Sequence, residues 1–153
     1  VEWGTLLFFL GLFIIVGGLE ETGILKKLAE HLVVISMGSF KLAEILILNV
    51  SGIASAFVDN IPYTATMIPI IKKLPDVHPS LFSNLHPLWW ALSLGACLGG
   101  NGTPIGASAN VVALAFLKRF TKREISFIEF MKVGIVVLIV SFTISSVYMV
   151  LRY

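Results

Sequence analysis

Charge is scarce in this sequence. Charged residues fill 13% of its 153 positions and hydrophobic ones 57%, with a mean hydropathy of +0.95, whereas soluble domains carry about 25% charged residues. That deficit excludes an ordinary water-soluble fold. The net charge of +2 comes from lysines and arginines scattered at the ends of apolar runs. They build no basic face for a phosphate backbone, so a nucleic-acid partner is excluded. Cys97 is the lone cysteine, so no intrachain disulfide can form, and its apolar neighbours mark it as small hydrophobic filler. His31, His78 and His86 show no metal-ligand spacing, so no metal centre is expected and the three are read as solvated. No histidine lies in an apolar run to serve Ser108 as a base, and the glycine-rich stretch near it lacks the P-loop lysine. The chain is therefore not read as an enzyme.

What is present is a series of apolar runs. Residues 1–20 are long enough for one transmembrane helix, which needs roughly 17–25 apolar residues. In residues 22–36, Leu25, Leu28, Leu32 and Ile35 recur at helical spacing opposite Lys26, Lys27 and Glu30, the pattern of an interfacial amphipathic helix. Residues 42–71 form an apolar stretch broken at Asp59–Pro62, with about ten residues after the break. Ten residues of helix reach only about 15 Å, half of the roughly 30 Å hydrocarbon core, so two full spans do not fit; a re-entrant hairpin is expected, with one long broken helix as the rival. Lys72 to Pro87, with three prolines, reads as an exposed loop. Residues 88–120 read as a broken transmembrane helix, with Gly99–Asn110 unwound, and residues 131–151 as a final span. Lys118, Arg119, Lys122, Arg123 and Lys132 are the densest basic cluster. The positive-inside rule then places loop 118–132 in the cytoplasm and the C-terminus outside. So few spans cannot enclose a pathway built from two repeats, and a chain opening on Val1 is read as a fragment lacking the first repeat.

The two breaks carry the chemistry. Asp59 lies inside an apolar run, where a carboxylate costs about 2.5–3.5 kcal/mol and usually serves a function. It can exchange a proton or supply anionic oxygen to a sodium ion, with Asn60, Thr64 and Thr66 as neighbours. It can equally cap the helix that begins before Pro62. In the second break, Gly100, Gly102 and their neighbours Gly99 and Gly106 are expected to free the backbone, exposing carbonyl and N–H groups to a ligand. Asn101, Thr103, Ser108 and Asn110 add neutral donors and acceptors. Small-xxx-small packing, Gly95 with Gly99 and Gly102 with Gly106, is the competing explanation. No cofactor is expected, beyond a sodium ion bound at these same residues.

The segments Asp59-Asn60-Ile61-Pro62-Tyr63-Thr64-Ala65-Thr66 and Gly99-Gly100-Asn101-Gly102-Thr103, continuing Ile105-Gly106-Ala107-Ser108-Ala109-Asn110, closely resemble the ion transporter superfamily. The resemblance is strongest to the P protein (pink-eyed dilution) branch, beside ArsB arsenite permeases, NhaD sodium/proton antiporters and citrate-type carboxylate transporters. It implies an all-α polytopic membrane protein, this chain being half of an inverted-repeat transporter with a re-entrant helical hairpin and a discontinuous transmembrane helix. It also implies a homodimer working by an elevator-type cycle in a bacterial or archaeal plasma membrane. Asn60 falls where carboxylate-transporting members carry the asparagine of a Ser-Asn-Thr tip. Asp59 stands where they have serine, which favours proton coupling over a sodium–dicarboxylate mechanism. Pro104 stands where an aliphatic residue is expected. The expected function is proton- or sodium-coupled transport of a small inorganic ion or anion; a passive anion channel and a non-transporting scaffold are the alternatives.

Overall fold

The computed structural model describes residues 3–153, apart from the side-chain surroundings of residues 4, 5 and 9. Seven helices follow one another: α1 (Trp3–Glu21), α2 (Ile24–Ile35), α3 (Phe40–Ser55), α4 (Asn60–Val77), α5 (His86–Gly99), α6 (Ser108–Thr121) and α7 (Phe127–Arg152). The described residues hold no strand. Residues 1 and 2 of the first expected span lie outside the described residues.

Local chemistry sets the helix ends. Gly23, at φ +73°, takes a left-handed conformation open to glycine without strain, and α1 and α2 meet there at 71°. Ser39 caps α3 by accepting from Leu42 N–H at 3.4 Å, and Asp59 caps α4 by accepting from Ile61 N–H at 3.2 Å. Ser126 and Glu129 have the spacing of a capping box at the start of α7, where Ser126 Oγ accepts from Glu129 N–H at 3.2 Å. At 26 residues α7 extends about 39 Å, and it is the one described helix long and apolar enough to cross a bilayer alone.

The core is a parallel pair crossed by an antiparallel third helix. A Cβ added to Gly95 would lie 2.3 Å from the Leu48 carbonyl oxygen, and one added to Gly99 would lie 2.2 Å from that of Gly52. The backbones of α3 and α5 therefore touch, and their residue numbers rise together. Phe40 and Phe82 meet at a tilt near the start of both, ring centroids 5.9 Å apart. α7 runs the other way: Lys41 Nζ donates to Val150 O at 3.1 Å, and Phe142 covers Gly52. α4 packs mainly on α2 and α5, closing a core of Leu25, Ile47, Ile71, Leu74 and Leu88. α6 packs on no other described helix and buries none of its residues. Val112, Phe116 and Phe120 on α6 and Val136, Ile139 and Val140 on α7 are exposed, a distribution suited to apolar surroundings rather than water.

The region after the first break departs from expectation. α4 continues through Pro69 and Pro75 to Val77, so the second arm is about 27 Å long rather than 15 Å, and the exposed loop shrinks to residues 78–85. Burial of Ile70, Ile71 and Leu74 sustains the helix past prolines that removed backbone donors would otherwise disfavour.

Candidate functional site

The two helix breaks, residues 56–59 and 100–107, are joined directly. Thr103 is buried; its hydroxyl donates to the carbonyl of Ala56 in the first break and accepts from Gly106 N–H at 3.0 Å. Asn110, in the first turn of α6, reaches back with its side-chain amide to donate to Gly100 O at 2.8 Å and Thr103 O at 3.0 Å. A threonine and an asparagine thus tie three loop carbonyls, which a bilayer interior would otherwise leave without partners.

The glycines serve closeness rather than conformational freedom. None of Gly99, Gly100, Gly102 and Gly106 has a positive φ; among the described glycines only Gly23 and Gly38 do. A Cβ on Gly106 would come within 2.9 Å of Ala56 O and 2.8 Å of Gly100 O, and one on Gly102 within 2.5 Å of Leu138 Cδ1. Gly134 on α7 faces the same knot, its added Cβ 2.6 Å from Gly102 O. Packing therefore accounts for these positions, and the expected unusual backbone angles do not occur. The knot lies beside Gly134 and Leu138, about 10 and 17 Å along the roughly 39 Å of α7.

The ten expected site residues do not share one cavity. Asn60 and Thr64 line a space of about 490 Å³ with Phe13, Ile61 and Cys97. Neither polar side chain has a described hydrogen bond. Thr66 donates instead to Pro62 O at 3.0 Å, along its own helix, and is absent from that lining. Asn101 lines a second space of about 470 Å³ with Arg123 and Glu129, themselves paired at 3.3 Å. Ser108 and Asn110 belong to α6 rather than to unwound chain; Ser108 is exposed. Asp59 is half-buried at the tip, with one oxygen on Ile61 N–H and no cation paired with it among the described residues. Gly100, Gly102 and Thr103 line neither space.

Sequence reasoning missed three features. Cys97, expected as buried filler, is exposed and faces the Asn60 cavity. The stripe Leu88, Ala91, Leu92, Gly95, Ala96, Gly99 is the buried face of α5, and Cys97 falls off it, which the spacing alone shows. The Arg123–Glu129 pair borders the Asn101 cavity. Glu44 is fully buried on α3, on the stripe it shares with Leu48, Ser51 and Ser55. The three histidines are exposed, as expected.

The sequence model of the CitMHS citrate transporter family matches residues 1–95, which cover α1 to α4, the first break and most of α5. The chain belongs to this citrate transporter family. Along its whole length it is also 48% identical to an uncharacterized transporter of Mycobacterium tuberculosis and 46% to a 46 kDa membrane protein of Mycobacterium leprae, covering 35% of each. It is 41% identical to the P protein of Mus musculus, covering 19% of that protein. The chain therefore spans about a third of the length of the mycobacterial relatives. No solved structure matches it significantly. The resemblance to the ion transporter superfamily holds, and membership of a transporter family makes this part of an integral membrane protein.

Proposed function

We propose that the chain is the second repeat of a secondary active transporter, coupled to protons or sodium, that moves a small inorganic ion or anion. The observation that carries this reading is the parallel course of α3 and α5 on either side of the first break. Were α3 and α4 a single crossing, α5 would start on the far side and run antiparallel to α3. It runs parallel instead, its start beside Phe82 and Phe40. A chain that turns back at residues 56–59 produces that arrangement, so α3 and α4 are the arms of a re-entrant hairpin. α5 and α6 are then the halves of a broken span, their break touching the hairpin tip through Thr103 and Ala56.

The Lys41–Val150 and Lys73–Glu20 contacts gather the start of α3 and the ends of α1, α4 and α7 on one side. Loop 118–132, with its basic cluster, falls on the other; this favours a cytoplasmic loop and an external C-terminus. The 71° turn between α1 and α2 suits an α2 lying along the interface, with Leu25 and Ala29 inward and Lys26, Lys27 and Glu30 outward. The uncovered faces of α1 and α6 are where the missing first repeat, lipid and a second subunit have room to pack. In this reading Asp59 holds the coupling ion at the tip, with Asn60 and Thr64 presenting free polar groups to the substrate. Asn101 serves the second cavity, and in this reading the two spaces are the two approaches to the site that alternating access requires.

The test uses the full-length parent in proteoliposomes, with a pH or sodium gradient imposed and labelled citrate, arsenite and chloride offered in turn. Uphill accumulation that collapses with the gradient supports the carrier. Flux that is only downhill, whatever the gradient, identifies a channel and sinks the proposal.

A further inference from the structure

Glu44 is fully buried, and neither of its carboxyl oxygens has a hydrogen-bond partner among the described residues. Both oxygens are closed off from solvent, so no water-sized body rests against them in this packing. Its place follows from the register. Leu48 and Gly52 lie against Gly95 and Gly99, so Glu44, one turn earlier, stands at the height of Leu88, Ala91 and Leu92, all buried and apolar. On α7 the same height holds Met149, between the contacts of Asn49 with Ser146 and of Lys41 with Val150.

The charged and titratable groups around it do not neutralise it. Lys41 is the cation whose charge reaches the carboxyl, but its ammonium donates to Val150 O at 3.1 Å and, among the described residues, makes no ion pair with Glu44. α5 contributes His86 and α7 contributes Tyr153, which face each other at 3.5 Å; Arg152 is exposed. From α4, Tyr63 is engaged with Ser51 at 3.2 Å, and from α2, His31 is bonded to Lys27 O at 2.9 Å. An ionised carboxylate without partners in such a place is costly; a neutral carboxyl group is far less so. A sodium ion needs several oxygen ligands and space, and neither adjoins Glu44. A proton needs neither.

We propose that Glu44 is a proton-binding site, carried neutral while α3, α5 and α7 are packed and ionised when that seam opens. Glu44 lies about 6 Å from the first residue of α3, so the proton exchanges with the side on which α3 begins and α7 ends. This deepens the reading of the chain as a coupled transporter: the seam carries a proton distinct from the ion at the hairpin tip.

The test is infrared spectroscopy of the full-length protein near neutral pH, with glutamate carrying a 13C carboxyl label, alongside proteoliposome flux. The proposal expects the carbonyl stretch of a protonated glutamic acid in wild type and its loss in Glu44→Gln, which keeps the side chain's shape. It also expects gradient-driven flux in Glu44→Gln to lose its dependence on pH. A spectrum unchanged by the substitution overturns the assignment, because Glu44 is then ionised. If Glu44→Gln does not fold, labelled Glu44→Asp takes its place, and the band must shift rather than vanish. Wild type showing the band without any gradient-driven flux sinks the transport reading and leaves the proton site standing.

Discussion

Substituting Gly99 by alanine tests the packing on which the site depends. The added Cβ would lie 2.2 Å from Gly52 O, 2.7 Å from Gly52 Cα and 2.8 Å from Gly52 C. Ordinary contact begins near 3.4 Å, so α3 and α5 must separate by about 1 Å, and the obstacle is backbone that no rotamer change can move aside. Overpacking of this kind costs about 1–3 kcal/mol. Helix propensity returns about 0.8–1 kcal/mol at most, since alanine is the better helix former. A net loss of up to about 2 kcal/mol follows. Separation should also stretch the Thr103–Ala56 bond four residues on and lower flux more than stability alone explains. Gly17→Ala is the control: it lies in α1 with nothing within 4 Å of an added Cβ, so it should be neutral or slightly stabilising. Thermal unfolding of both variants of the full-length protein in detergent, followed by tryptophan fluorescence, checks this. Should Gly99→Ala match Gly17→Ala in midpoint and flux, the backbone contact is not as described and the reasoning fails.

Three further expectations follow from the same geometry. Thr103→Val leaves the Ala56 carbonyl unpaired and should cost about 1–3 kcal/mol in unfolding free energy, while Thr103→Ser keeps the hydroxyl and should lie near wild type; equal losses in both would point to packing rather than the hydrogen bond. Cys97 should react with polar thiol reagents in the assembled transporter, and reaction should block flux, whereas inertness would mean that another segment covers the Asn60 cavity. In the loop, the Lys118 ammonium at 2.8 Å holds the Glu124 carboxyl below the usual carboxylate range. The stabilisation from that pair is present above the ordinary glutamate value and fades as pH falls through the lowered one. A carboxyl NMR titration of Glu124 should show a depressed midpoint that Lys118→Met returns to normal.

Much of this architecture was legible because helix breaks in apolar sequence are chemically conspicuous. Asp59 with Pro62, and the glycines with Pro104, announce chain that cannot continue as a lipid-facing helix, and the breaks occur there. The end of α4 was not legible, since Pro69 and Pro75 carry the same local signal as Pro62 yet are overridden by burial of Ile71 and Leu74. Of the two readings of the glycines, close packing holds and backbone freedom does not. Their value lies in Gly52, Leu48 and Ala56, residues distant in sequence that only the fold brings against them. For the same reason the polar groups divided unexpectedly: Thr103 and Asn110 face inward to tie the loop, and Asn60, Thr64 and Asn101 keep free side chains in two separate spaces. Glu44 sits only four residues into α3, where an acid reads as an ordinary interfacial charge until its neighbours are known.

Asp59→Asn is the most direct measurement of the central claim, that the hairpin tip holds the coupling ion. Asparagine caps a helix as well as aspartate does, so the substitution keeps the acceptor for Ile61 N–H and removes only the charge. Full-length wild type and variant, reconstituted with equal insertion, should differ by loss of proton- or sodium-driven flux at unchanged unfolding midpoint. Coupled flux at the wild-type rate in the variant would contradict the account and leave Asp59 as a helix cap.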